Sequence, residues 1–193
     1  MRVDLSGRSA AVAGSKGELT TAIIALLGAN GAVVRSMNSA ADVLRLEHLD
    51  LIVNVAIDAR DPDLLEGLCR SAADRMAPCG GGHILNIVSA LGAVPVRGEI
   101  GASVAAAAIM TLTRALALEF GERRILVNAL VVGALGDGRL AKRMLTHIPL
   151  GRSGNIDEIA RAALFLVDPE NTYMTGHAML VDGGWTAGYA REF

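Results

Sequence analysis

Aromatic residues and cysteine are scarce in this chain of 193 residues. Aromatic side chains make up 3% of it, and Cys69 and Cys79 are its only cysteines. So few cysteines exclude a disulfide scaffold, and we expect both to be buried free thiols in a reducing compartment. Tyrosine and lysine are equally rare, with two of each, which restricts every kind of site that needs a phenol or an amine.

Strong net charge and long apolar runs are absent as well. The formal net charge is -2 at pH 7, which excludes the basic surface that nucleic acids and anionic membranes attract. The longest uncharged apolar run without turn signals, residues 102–113, is too short to span a bilayer. The chain also starts without the apolar region of a secretory signal. We therefore expect a cytoplasmic protein with neither a nucleic-acid nor a membrane partner.

Short apolar runs alternate with helical stretches along the chain. The runs predict buried strands at residues 9–13, 32–35, 51–56, 83–88, 125–131 and 177–181. The helical stretches lie near residues 19–27, 63–76, 102–119 and 157–167. This alternation is typical of a parallel sheet with helices on both faces. The sequence therefore predicts one α/β domain, residues 1–193, with a doubly wound Rossmann-like sheet of about six strands.

The link between the second and third predicted strands is unusually short. It covers residues 36–50, whereas a full strand-plus-helix crossover takes roughly 30 residues. Residues 42–46 (DVLRL) fit either a stub of strand or one helical turn. This part of the sheet edge is therefore expected to be shortened.

A glycine turn closes the first strand and opens the first helix. It consists of Gly14, Ser15, Lys16 and Gly17. A turn at this place presents backbone N–H groups of a helix N-terminus to a phosphate. Two glycines alone fit a plain strand-to-helix turn equally well.

Motifs along the rest of the chain form a recognisable set. They are residues 51–56 (LIVNVA), 86–89 (NIVS), 124–129 (RILVNA), 148–152 (IPLGR), 158–160 (EIA), 175–176 (TG) and 181–185 (VDGGW). Together they resemble the short-chain dehydrogenase/reductase family over nearly the whole chain. The resemblance implies a Rossmann-like fold and hydride transfer to or from NAD(P).

The resemblance also shows a departure at the expected reaction centre. In this family a serine binds the substrate oxygen, a tyrosine carries the proton, and a lysine one helical turn later supports the tyrosine. Ser89 matches the serine, but the tyrosine position falls on Ala102 and the lysine position on Ala106. Because no tyrosine precedes Tyr173 and no lysine lies between positions 16 and 142, no local realignment restores the pair. We expect no intact catalytic set, with Ser89 vestigial.

Three other polar residues fall near the expected centre. Glu99 and Ser103 flank the missing tyrosine and are the residues open to new acid–base chemistry, and Asp61 lies near the family's helix asparagine. The four histidines show neither metal-ligand nor triad spacing, so we expect no metal site.

The cofactor side departs from the family pattern too. The resemblance assigns cofactor binding to the glycine turn and to Asn54, but the turn is one residue short and Leu19 stands at its third glycine. A leucine there is expected to crowd the phosphates. Met37 stands where an acid would hold the ribose. We therefore expect NAD(P) binding to be lost or weak.

These departures predict a non-catalytic subunit that serves as an oligomer partner or scaffold. The alternative is an enzyme of non-redox chemistry, such as a lyase, isomerase or cyclase, in the altered cleft. Within an enzyme complex the chain would belong to an NAD(P)-dependent oxidoreductase. The resemblance implies a homo-oligomer, or a hetero-oligomer with an active subunit, formed through helices at residues 63–76 and 102–121 and the C-terminal strand. The small apolar helix face assigned to this contact comprises Ala102, Ala105, Ala106, Ile109 and Thr113.

Overall fold

The computed structural model describes residues 3–58 and 61–188, with the side chains of residues 139 and 140 left aside. Within these residues a six-stranded parallel sheet has the strand order β2-β1-β3-β4-β5-β6. The strands are β1 (Ser9–Gly14), β2 (Val33–Met37), β3 (Leu51–Val55), β4 (Gly82–Ser89), β5 (Ile125–Val132) and β6 (Ala178–Val181). The predicted α/β class and all six predicted strands are confirmed.

The helices alternate with the strands along the chain. They are α1 (Glu18–Ala29), α2 (Ala40–Leu44), α3 (Pro62–Met76), α4 (Ile100–Phe120), α5 (Arg139–Met144) and α6 (Ile156–Leu166). The four predicted helices correspond to α1, α3, α4 and α6. The open choice at residues 42–46 is resolved as the short helix α2, and α5 was not predicted.

Local sequence signals explain where the helices begin. Asn155 and Glu158 form a reciprocal capping box at α6, in which each side chain accepts a hydrogen bond from the other residue's backbone N–H. Ser39 caps α2 by accepting from the Asp42 N–H. Asp61 caps α3 immediately before a proline at the first helical position.

The sheet separates two apolar cores. Helices α1 and α6 pack together on one face, and α2, α3 and α4 cover the other. Central strands are buried on both faces, as parallel sheets require, and β4 and β5 pair along their whole length. The largest fully buried side chain, Phe120, closes the C-terminal end of α4 against this core.

Helix α4 is longer than the apolar run from which it was predicted. With its continuation to Arg123 it spans 24 residues and contains an 18-residue window with a mean hydropathy of 1.6, which by length and composition alone is enough to cross a membrane. In the fold it packs against β4, β5 and α3. A helix buried in a protein core has the same apolar character.

One expectation about the cysteines is wrong. Both are free, and Cys69 is buried on α3, where burial raises the pKa of its thiol to about 12. Cys79 is exposed, because it lies in the turn that leads from α3 into the glycines before β4.

The Asp50 carboxylate ties the start of β3 to the start of β1. It accepts hydrogen bonds from the Ser9 backbone N–H at 2.7 Å and from the Arg8 guanidinium at 3.0 Å. Burial acts to raise the pKa of Asp50, but these two donors outweigh burial, and the pKa lies below its ordinary value.

This lowered pKa predicts an acid-dependent stability. A carboxyl whose folded pKa is depressed stabilises the fold above its unfolded pKa of about 3.9, and that contribution is lost as pH falls through the folded pKa. Urea unfolding at pH 7 and at pH 3 should show Asp50→Asn less stable than wild type at pH 7 and closer to it at pH 3. If the free energy of unfolding fell by the same amount in wild type and in Asp50→Asn between pH 7 and pH 3, the stabilising role of the Asp50 carboxylate would be contradicted.

Candidate active site

The strand order places a crevice at the carboxyl edge of the sheet. Strand β1 pairs with β2 on one side and with β3 on the other, so the chain connections diverge at this point. Ligands of doubly wound sheets bind at such a switch point, outside the carboxyl ends of the strands. The two cavities described below both open at this edge.

The smaller cavity, of about 280 Å3, lies directly outside β1 and β3. Its lining includes Gly14, Ser15, Met37, Asn38 and Asn54. Gly14 has a φ of +145°, and a Cβ there would lie 2.5 Å from the Val55 carbonyl oxygen. Glycine is therefore required at this position for the two strands to end side by side.

The expected crowding by Leu19 is wrong. Leu19 is 7% exposed and belongs to the core beneath α1, together with Ile23 and Leu27. These residues lie four apart, so they share one face of the helix, and that face is turned to the sheet. The leucine therefore leaves the glycine turn open.

The N-terminus of α1 offers backbone donors to an anion. Gly17 is its N-cap in extended conformation and makes no side-chain cap, and a Cβ at Gly17 would meet no atom within 4 Å. The first N–H groups of a helix have no partner inside the helix and attract negative charge. Lys16 is exposed and lines neither cavity.

The first turn of α2, which follows β2, carries the Asp42 carboxylate, and Asp42 also forms an ion pair with Arg45 at 3.4 Å. Asp42 accepts hydrogen bonds from the Ser39 hydroxyl at 2.9 Å and from the Asn38 backbone N–H at 3.2 Å. These two bonds, the hydroxyl foremost, hold the pKa of Asp42 below its ordinary value. At the end of β2 itself, Met37 is buried, and the polar residue that follows it, Asn38, lines the smaller cavity.

Asn54 serves the core as well as the cavity. Its amide donates to the Asn86 carbonyl oxygen at 2.9 Å, and Asn86 in turn donates to the Thr113 hydroxyl at 3.0 Å. Cys69 also donates to Asn86, at 3.7 Å. Asn54, Asn86 and Thr113 are each at most 1% exposed. Through Asn86, the side chain of Asn54 therefore connects β3 to β4 and to α4.

The larger cavity, of about 600 Å3, lies outside β4 and β5. Its walls are mostly apolar, with Leu91, Val132, Leu135 and Met144 among them. Three polar side chains, those of Asp58, Ser89 and Glu99, complete its lining. An apolar cavity with a few polar groups is the usual form of a small-molecule site.

Ser89 ends β4 at the floor of this cavity. Its hydroxyl oxygen accepts from the Leu91 N–H at 3.3 Å, which leaves the hydroxyl proton to be donated elsewhere. Ala102 lines the same cavity, as the family spacing predicts for the tyrosine position. Ala106 is 5% exposed and lies under Gly92, where a Cβ would come within 2.6 Å of the Ala106 carbonyl carbon.

The other polar residues singled out in the sequence lie in different environments. Glu99 lines the larger cavity, whereas Ser103 is buried and donates its hydroxyl proton to the Glu99 carbonyl oxygen at 2.8 Å. Asp61 lines the smaller cavity and caps α3. Asp58 lines both cavities, so the two adjoin along the carboxyl edge of the sheet, and together they are called the trough. The place of Asp58 in a loop after β3 gave no signal in the sequence.

Metal ligands do not cluster in the described part of the chain. Among residues 3–58 and 61–188 no group of three or more histidine, cysteine, aspartate or glutamate residues is placed to hold a metal ion. The polar groups that the trough offers to a ligand include its serines, its carboxylates and its backbone N–H groups.

Comparison with known proteins assigns the chain to a family. The family model described as enoyl-(acyl carrier protein) reductase matches residues 65–186. The chain is 34% identical over 126 residues to 2,5-dichloro-2,5-cyclohexadiene-1,4-diol dehydrogenase LinX of Sphingobium indicum, covering 62% of this chain and 50% of that protein. The chain thus spans about half the length of this relative.

A longer match and a solved structure agree with this result. Galactitol 2-dehydrogenase (L-tagatose-forming) of Cereibacter sphaeroides is 33% identical over an alignment of 199 positions that covers 88% of this chain and 78% of that protein. The short-chain dehydrogenase/reductase from Serratia marcescens BCRC 10948 gives a TM-score of 0.81 at 24% identity, covering 94% of this chain and 99% of that one. At that identity the structural likeness shows the fold alone.

Two expectations from the sequence are corrected by these findings. A non-catalytic scaffold, or a lyase, isomerase or cyclase, is wrong, because the relatives are named as dehydrogenases and the family as a reductase. Loss of NAD(P) binding is wrong for the same reason. The physical argument for that loss also fails, since Leu19 faces the core and leaves the turn open.

The position of Leu19 predicts a purely structural role. Leu19→Ala should lower the free energy of unfolding by about 2–5 kcal/mol, the usual cost of truncating a buried leucine. Leu44→Ala, at a site 44% exposed, is the matched control and should cost much less. Urea denaturation measures both, and an equally small effect at the two positions would show that Leu19 does not face the core.

Proposed function

The chain belongs to the short-chain dehydrogenase/reductase family, and from this membership we propose that it is an NAD-dependent oxidoreductase that interconverts a secondary alcohol and its ketone. One observation carries the proposal. Two cavities that share Asp58 in their linings adjoin along the carboxyl ends of the strands, one lined by Gly14 and Ser15 of the glycine turn and the other by Ser89. The dinucleotide belongs in the smaller cavity and along the trough, and the substrate in the larger one.

The residues of the trough fit such a cofactor. The backbone N–H groups at the start of α1 would hold the pyrophosphate, with Gly17 leaving the space open. Asn38, at the end of β2, would contact the adenosine ribose. When bound, the nicotinamide supplies the hydride acceptor.

Ser89 would orient the substrate. Because its hydroxyl oxygen already accepts a bond from Leu91, its proton is directed away from that bond and is available to the substrate oxygen. The apolar walls around it favour a substrate with a hydrocarbon body and exclude water from the reacting carbon.

The charges along the smaller cavity favour NADH over NADPH. Asp58 and Asp61 line it, and within the described residues no lysine or arginine does. A second phosphate on the ribose would therefore lie near these two carboxylates and be repelled by them.

The reaction would proceed without the family's tyrosine and lysine. We assign Ala102 and Ala106 to those two positions because Ala102 shares the larger cavity with Ser89 and Ala106 lies one turn further along the same helix. The chain is accordingly a shortened and altered member. The proton must then be handled by another group in the cavity.

Substitution of Gly17 tests cofactor binding directly. Gly17→Asp places a carboxylate beside the pyrophosphate and should weaken NADH binding at least tenfold, as expected for about 1.4 kcal/mol of charge repulsion. Gly17→Asn has the same size without the charge and should change the affinity by less than about threefold. Isothermal titration with NADH measures both variants, and NADPH should bind wild type more weakly than NADH.

Both variants should fold at least as well as wild type. Gly17 is extended, with φ -167°, and aspartate and asparagine are better helix N-caps than glycine by a few tenths of a kcal/mol. Thermal melts provide this control. Absence of NADH binding by wild-type protein would overturn the proposed function.

We also propose that two copies associate through α3 and α4. The alanine face assigned to this contact from the sequence is turned inward, since Ala105, Ala106, Ile109 and Thr113 are buried in the chain's own core. The outer face of α4 instead exposes large apolar side chains: Ile100 at 75%, Val104 at 64% and Leu118 at 87%. Arg70 binds Glu66 and Glu119, so α3 and α4 form a braced pair.

This assembly makes Leu118 a sensitive position. Leu118→Glu should convert a wild-type dimer or larger assembly into a monomer, because it places charge in an apolar contact without touching the core. Leu150→Glu, at a residue 66% exposed outside α4, is the control and should not change the assembly. Light scattering after size-exclusion chromatography gives the mass, and a monomeric wild type would contradict this proposal.

A further inference from the structure

We propose that Glu99 accepts the proton of the substrate alcohol, at the place in the cleft where the family uses a tyrosine. The inference rests on the proposed oxidoreductase function and goes beyond it by naming the group that handles the proton. Three observations support it. Glu99 lines the cavity, its carboxylate has no bonding partner among the described residues, and the other polar groups of the cavity are less suited to accept a proton.

Glu99 is held at the wall of the substrate cavity. It immediately precedes α4 and lines the same cavity as Ser89 and Ala102, one helical turn before Ala102. Its carbonyl oxygen accepts two bonds from Ser103, from the N–H at 2.9 Å and from the hydroxyl at 2.8 Å. The backbone of Glu99 is therefore fixed at the wall of the cavity that Ala102 also lines.

The carboxylate of Glu99 is uncommitted. It makes no cap to the start of α4, and within the described residues it has neither a hydrogen bond nor an ion pair. By contrast, the carboxylates of Glu66 on α3 and Glu119 on α4 are both bound to Arg70. A half-buried, unpaired carboxylate in an apolar cavity is suited to accept a proton.

The remaining polar groups of the cavity do not fit this role. Ser89 is a proton donor to the substrate oxygen and has no base beside it to make it an acceptor. Ser103 is buried and directs its hydroxyl to the backbone. Asp58 is exposed to solvent at the junction of the two cavities, so it is the rival that the experiment has to exclude.

The proposed step balances with NAD+ as the oxidant. The hydroxyl proton of the alcohol passes to the Glu99 carboxylate as the C–H hydride leaves with its electron pair, and a C=O bond forms. The products are the ketone, NADH and the protonated Glu99, which then releases its proton to water. The reverse direction uses the protonated carboxyl as the donor.

The first test uses the protein without cofactor. Cyclohexylammonium presents a cation on an apolar ring of a size suited to the larger cavity, and the Glu99 carboxylate should bind it. Titration calorimetry of wild type, Glu99→Gln, Asp58→Asn and Glu122→Gln should show at least about a fivefold loss of amine affinity in Glu99→Gln alone. Glu122 is exposed beyond the other end of α4 and serves as the matched control.

The second test measures turnover with NAD+ and a panel of secondary alcohols that includes cyclohexanol. Glu99→Gln should lower kcat about 10²-fold or more, the usual effect of removing a general base, while NADH affinity stays within twofold of wild type. Glu99→Asp keeps the carboxylate and should recover part of the rate. Thermal melts of all variants check that the fold is intact.

Each possible result decides between the two proposals. An amine affinity that does not depend on Glu99, or full turnover in Glu99→Gln with loss in Asp58→Asn, would overturn the role of Glu99 and leave the proposed function standing. A wild type that neither binds NADH nor oxidises any alcohol of the panel would overturn the proposed function and the proton-accepting role together.

Discussion

The buried hydrogen bonds of Asn86 hold the whole site in place. Its side chain joins Asn54 on β3 to Thr113 on α4, with distances of 2.9 and 3.0 Å and almost no exposure to water. Ser89 lies three residues further along β4, and Ala102 lies about three turns before Thr113 on α4. Because unsatisfied amides are costly in a core, this network fixes the distance between the strand ends and the helix.

The cofactor side depends on a second close approach. Gly14 allows β1 to end against Val55 of β3, and α1 then starts after the extended Gly17, with first N–H groups that have no partner inside the helix. Asp58 and Asp61 line the smaller cavity, and among the described residues no lysine or arginine does. The same geometry thus supplies the attraction for a pyrophosphate and the repulsion that would disfavour an additional phosphate on the ribose.

Much of the fold is predictable from the sequence, because buried parallel strands are continuous apolar runs. The prediction that Leu19 would crowd the phosphates was wrong because it considered only the position of Leu19 in the glycine turn. The four-residue spacing of Leu19, Ile23 and Leu27 indicates a helix face that is turned to the core. The outward face of α4 was not predictable, since an alanine-rich helix shows little contrast between its faces. The resemblance placed Ser89 and Glu99 near one centre, but Asp58 was not predicted to join them, because its position depends on the loop that follows β3.

The central claim is that a nicotinamide dinucleotide lies along the carboxyl edge of the sheet, from the glycine turn to Ser89. Amide 1H–15N NMR spectra recorded with and without NADH test this most directly, because they report position as well as binding. The account predicts shifted signals at Gly14, Gly17, Asn38 and Ser89, with little change at residues such as Gly80 and Gly121 on the opposite edge. Shifts confined to that opposite edge, or no shifts at all, would contradict it.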